Sequence, residues 1–185
     1  TSSNGLRRDF ARRLPAEEDV QGRIAALLGG NAIAVKLNPN MNYIDALKNA
    51  SNFWTLLHLT GYLTLTSRAE LYEGEKNAKD SLLVIPNKEV RQEFLNSIQG
   101  QEFQTVNNAI HRSDKLLQLT LAQNAEKVAE MLQKVHCDNC SVIQYNDENS
   151  LACVLSLAYY SAQDSYAVYR ELQGGEGFAD LVFVP

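Results

Sequence analysis

Residues 148–185 read ENSLACVLSLAYYSAQDSYAVYRELQGGEGFADLVFVP, and this stretch decides the fold. Leu151, Val154, Leu155, Leu157, Ala158 and Tyr159 make a helix apolar on most sides, the pattern of one packed against a sheet. Asn146 or Asp147 is placed to cap it. Tyr166 to Arg170 has strand composition, Gly174-Gly175-Glu176-Gly177 makes a tight turn, and Ala179 to Val184 alternates apolar residues as a second strand. A helix, a strand, a glycine turn and a further strand predict an α/β fold with a hairpin at the edge of its sheet.

Working back from there, Gln104 to Val135 is helical in pattern, with breaks expected near Ser113 and Gln123. Leu116, Leu117, Leu119 and Leu121 belong to one piece; Val128, Met131, Leu132 and Val135 belong to another. Ser81 to Ile85 reads as a strand that Pro86 ends, and Asn87 can cap a helix from Lys88 whose core face is Val90, Phe94, Leu95 and Ile98. Charged residues and Gly74 make Arg68 to Asp80 a loop or hairpin tip, and Tyr62 to Thr66 is strand-like. A helix starting at Ile44 or Ser51 and running to Leu59 is apolar nearly all round and should be buried. Ala32 to Leu37 is a short strand. Before it, Pro15 and the acids Glu17, Glu18 and Asp19 open a helix with stripe Val20, Ile24, Leu27 and Leu28, which Gly29-Gly30 stops.

Apolar residues are 45% of the chain and charged residues 21%, a globular composition, and 185 residues suffice for one well-buried domain or a lobe plus a domain. No apolar run approaches the roughly 20 residues that span a bilayer, so no membrane association is expected. The opening TSSNGLRRDFARR has no apolar core and is no signal peptide; starting on Thr, the chain is expected to begin inside a longer protein. A net charge of -5 argues against holding nucleic acid by phosphate contacts alone, although Arg7, Arg8, Arg12 and Arg13 gather at the start. Three cysteines, two of them in a CxxC, do not make a disulfide framework, and a reducing compartment fits: the bacterial cytoplasm, or a host cytosol after export. His136, Cys137 and Cys140 look like half a zinc site, but His58, His111 and Cys153 lack the spacing to complete it; a plain helix-to-loop junction is expected. Gly29-Gly30-Asn31 before Lys36 lacks the phosphate-loop spacing, so no ATP site is expected in this chain.

Three stretches together resemble one family. Asn52 to Leu65, NFWTLLHLTGYLTL, is similar to the W-x-LL-x-x-(S/T)-GYL run of bacterial predicted AAA-ATPases, where it lies between the ATPase body and an appended nuclease domain. Ile85 to Val90, IPNKEV, resembles the IPN-x-EV start of that appended domain. Arg170 to Pro185 resembles its RE-x-x-x-G-x-G-x-x-D-(I/L)-V-(L/F)-x-P hairpin. The likeness runs from about Leu14 onward and implies a PD-(D/E)XK, restriction-endonuclease-like α/β core after a helical N-terminal lobe, incomplete at the C-terminus. It divides the chain into 1–66, the C-terminal lobe and linker of an ATPase-like region, and 67–185, the first part of the nuclease-like domain.

The resemblance also implies a site. Glu148, at the head of the helix, matches the family's first acid, and Asp180 matches the motif aspartate. In that superfamily such carboxylates hold Mg²⁺ or Mn²⁺ through hard oxygen donors, the metal polarises a phosphodiester and its attacking water, and a lysine steadies the developing charge. After Asp180 come only Leu181-Val182-Phe183-Val184-Pro185, without the (D/E)-x-K. This chain alone is therefore expected to be inactive; the intact protein would act on nucleic acid if it supplies the missing acid and lysine. The competing expectation is an inactive nuclease fold reused to bind a protein partner, for example in a secreted bacterial effector.

Overall fold

Two glycines end the first helix as their positions predict. α1 (Val20–Leu28) buries Val20, Ile24, Leu27 and Leu28. Gly30 then turns to φ 87°, donating to the Leu27 carbonyl at 3.1 Å while the Asn31 N–H reaches the Ala26 carbonyl at 2.9 Å. That pair of bonds satisfies the last carbonyls of a helix and needs a residue that tolerates positive φ. The computed structural model describes the backbone of residues 20–46, 48–72, 77–98, 103–139, 148–174 and 177–185, and their side chains except those of 43, 70, 139, 148–150, 152, 170, 171, 174, 178 and 180. The expected helix start at Pro15 and the cap at Asn146 or Asp147 lie outside the described residues.

The fold is mixed α/β, and its sheets are small and antiparallel. β1 (Ile33–Val35), β2 (Thr64–Leu65) and β3 (Ser81–Val84) form one sheet in the order β1-β3-β2. Its register pairs Ile33 with Leu83 and Thr64 with Val84, so strands from both sides of residue 66 share it. Of the charged stretch between β2 and β3, residues 68–72 carry a 3₁₀ turn at Ala69–Leu71, and 73–76, with Gly74, lie outside the described residues. β2 is shorter than the Tyr62–Thr66 pattern predicts, because the Leu63 N–H turns back to the Leu57 carbonyl at 3.0 Å instead of joining the ladder. At the outer edge of β1, the Arg23 guanidinium donates to the Ala34 carbonyl at 2.9 Å, and the Ala32 N–H donates to the Leu71 carbonyl at 2.7 Å.

α2 (Ala50–Leu59) starts at Asn49, whose side chain accepts from the Asn52 N–H at 2.8 Å. Phe53, Trp54 and Leu57 are buried, with the first two rings edge to face, whereas Leu59 is 68% exposed: this helix has one wet side after all. The turn at Asn38 is docked on α2 by an N–H bond to Thr55 Oγ1 and a side-chain bond to Asn52 Oδ1. α3 (Lys88–Ser97) is capped as expected, Asn87 Oδ1 accepting from the Val90 N–H at 2.9 Å; it buries Phe94, and Ile98 is buried just past its end.

α4 (Gln104–Leu121) passes straight through Ser113, against the expected break. The hydroxyl donates to the Ile110 carbonyl at 2.6 Å within the same helix, so this serine does not compete for another backbone path. The break at Gln123 does occur. Gln123 adopts φ 57°, its N–H meeting the Thr120 carbonyl and the Asn124 N–H the Leu119 carbonyl, both at 3.0 Å. α5 (Ala125–Asn139) folds back beside α4, and Arg112 spans to Asp138 at 3.4 Å. α6 (Glu148–Ala158) lies against α1, α4 and α5. The apolar pattern expected to face a sheet is thus satisfied largely by other helices. One core runs from Val20 to Ala162 and includes Trp54, Leu83, Phe94, Val106, Val154 and Leu157.

Candidate functional site

The last buried residues of α6 lead into a corner that carries the hairpin. α6 buries Cys153, Val154, Leu157 and Ala158, and Leu151 on its far side is 43% exposed. α7 (Ala162–Ser165), a single turn, follows at once, held by Ala162, which is fully buried. β4 (Ala167–Gly174) and β5 (Gly177–Val184) then pair antiparallel, from Ala167↔Val184 at the base to Gly174↔Gly177 at the tip. Both strands are longer than their composition predicts, since the Arg170–Gly174 half gains partners across the turn. The turn residues 175–176 lie outside the described residues.

Aromatic rings hold the base of the hairpin. Phe183 of β5 meets Tyr159 at 5.2 Å between ring centres and Tyr166 at 6.2 Å, near edge to face for the second pair. The Tyr159 hydroxyl shares a 2.8 Å hydrogen bond with Thr120 Oγ1, which ties the same ring to α4. Val168, Leu181 and Phe183 pack on the core.

Of the two residues singled out for a site, Glu148 is the first residue of α6, and Asp180 lies within β5 between Ala179 and Leu181, whose partners are Leu172 and Arg170. The side chains of both are outside the described residues, so no distance joins them. Their donor chemistry fits Mg²⁺, because carboxylate oxygens are the hard ligands that ion takes. Among the described residues no group of three or more His, Cys, Asp and Glu could hold a metal. His136 and Cys137 occupy the last turn of α5, Cys137 is exposed, and Cys140 lies outside the described residues.

Beside the corner lies a polar cluster that the sequence reading missed. Arg91 of α3 donates from Nη1 to Gln163 Oε1 at 2.6 Å, and its guanidinium carbon sits 5.7 Å from the centre of the Tyr160 ring. Gln163 Nε2 donates to the Leu28 carbonyl at 3.3 Å. Lys88 Nζ donates to the Asp164 carbonyl at 3.0 Å and lies 3.7 Å from its carboxylate. Burial pushes the Tyr160 hydroxyl above its usual range; Arg91 draws it back and Asp164 pushes it further up. Nothing local marks these residues, because Arg91 and Gln163 are 72 positions apart. No helix among the described residues is long and apolar enough to cross a membrane. No protein-family model, curated protein or solved structure matches the chain, and the candidate site rests on its own residues.

Proposed function

We propose that this chain carries the first part of a PD-(D/E)XK nuclease-fold domain, with Glu148 and Asp180 as two carboxylate ligands of a divalent-metal site for phosphodiester cleavage. The observation that carries the reading is the order of elements: a helix headed by Glu148, a one-turn corner, and an antiparallel hairpin with Asp180 on its second strand. The quoted Arg170–Pro185 motif calls for the hairpin, and the family's first acid for the helix that precedes it. Mg²⁺ or Mn²⁺, when bound, would polarise the phosphodiester and the attacking water. The chain's own contribution is to present two oxygen donors from different elements. Residues 181–185 carry neither an acid nor a lysine, so Glu148 and Asp180 are the two ligands proposed for this chain.

Calorimetric titration with Mn²⁺ tests this on the chain and on Asp180→Ala. Binding that the substitution abolishes supports the site; a chain that takes up no metal sinks it. A second reading then applies, an inactive fold that docks a protein partner. It is favoured by Tyr169, Leu172 and Val184 on the hairpin, which are 42%, 42% and 41% exposed.

A further inference from the structure

We propose that Arg91 and Gln163 are positioning residues that together form the joint fixing the β4–β5 hairpin to the body of the fold. The hairpin leaves the core through α7, a helix of four residues, too short to hold an orientation by its own backbone bonds. Two distant segments meet on that turn. The end of α1 offers the Leu28 carbonyl to Gln163 Nε2, and the first turn of α3 brings Arg91 to Gln163 Oε1. Lys88, from the same first turn, closes on the carbonyl of Asp164.

Gln163 is the centre of this arrangement because both ends of its amide are engaged, each by a different helix. Arg91 is doubly placed as well, donating to the amide and lying against Tyr160, two residues after the end of α6. A guanidinium held by a ring face and a carbonyl oxygen has little freedom left, and a bond from a charged donor is stronger than a neutral one. Asn87, which caps α3, fixes where Lys88 and Arg91 begin. The rings at Phe183 seat the base of the hairpin against α4 and α6, and the Arg91–Gln163 pair sets the direction in which it leaves. Asp180 rides on the strand so directed, and its value as a metal ligand rests on the reading above; the joint itself does not.

The test is amide hydrogen exchange on the whole chain, comparing wild type with Gln163→Leu, Arg91→Ala and the double variant. Loss of the joint is expected to speed exchange of β4 and β5 amides by on the order of 10-fold. The amides of Phe53, Trp54 and Leu57 in α2 should keep their rates. Because the two side chains act as one unit, the double variant should match the stronger single variant instead of multiplying the two. Equal acceleration in α2 and the hairpin, no acceleration at all, or multiplicative effects would each overturn the proposal. If Gln163→Leu does not fold, Arg91→Ala alone decides by the same contrast, since Arg91 is only half-buried. A wild-type chain that binds no Mn²⁺ removes the metal reading and leaves the exchange result to judge the joint.

Discussion

Replacing Gly30 by alanine probes the same corner through stability, and Gly61 supplies an internal control. Both glycines follow a helix, with φ 87° and 82°. An alanine in that region costs about 1–2 kcal/mol from the clash of its Cβ with its own backbone. At Gly61 a Cβ would meet nothing within 4 Å, so Gly61→Ala should cost that amount alone. At Gly30 the new carbon would stand 3.2 Å from Gln163 Oε1. The amide can retreat only by stretching its 2.6 Å bond from Arg91 or its 3.3 Å bond to Leu28. A hydrogen bond to a charged group contributes about 1.5–3 kcal/mol, and a shift of a few tenths of an ångström weakens it without removing it, so the surcharge is about 1 kcal/mol. Gly30→Ala should therefore destabilise by about 2–3 kcal/mol and exceed Gly61→Ala by about 1 kcal/mol. Urea denaturation with equal slopes gives both values from the midpoints. A Gly30→Ala variant no less stable than Gly61→Ala would refute the claim that Gln163 is pinned.

Gln123, exposed and at φ 57°, stands where glycine is favoured, so Gln123→Gly should raise stability by about 1 kcal/mol in the same denaturation assay. Asn87→Ala removes the acceptor for the Val90 N–H and should cost about 1 kcal/mol, with the cost read from thermal or urea midpoints. Tyr160 holds its proton more tightly in the folded chain than when unfolded. Between the unfolded and folded values the unfolded state has released a proton that the native state keeps. Stability should consequently fall as pH rises above about 10, and Tyr160→Phe should make that fall shallower in stability measured against pH.

The parts of the fold legible in the sequence are those decided by neighbours along the chain. Asn87 as a cap and Gly29-Gly30 as a stop involve bonds spanning five residues or fewer, and both appear as expected. Ser113 was misleading because its hydroxyl serves two masters at once. It donates back to Ile110 and accepts from the N–H of Ser161, 48 positions on. α6 illustrates a different limit, since an apolar surface shows that something will cover a helix without saying whether sheet or helix does so. For the site, Glu148 is legible only through the resemblance, and Asp180 through the resemblance together with the oddity of a carboxylate in an otherwise apolar strand. An acid in the first turn of a helix is ordinary electrostatics, and no spacing rule couples a helix start to a strand 32 residues later. The Arg91–Gln163–Leu28 chain of bonds is hidden for the same reason: Arg91 and Gln163 look like ordinary surface residues, and Leu28, a core residue, takes part only through its backbone carbonyl.

The covering of β1 has a consequence for assembly. An uncovered sheet edge is a template on which a foreign strand can grow. Here one margin is occupied by a guanidinium and a 3₁₀ turn, and the other ends after the two residues of β2. Neither offers a run long enough to recruit a neighbour. Strand exchange between molecules, whether in a working complex or in misassembly at high concentration, is thereby steered away from the three-stranded sheet and toward the eight-residue strands of the hairpin.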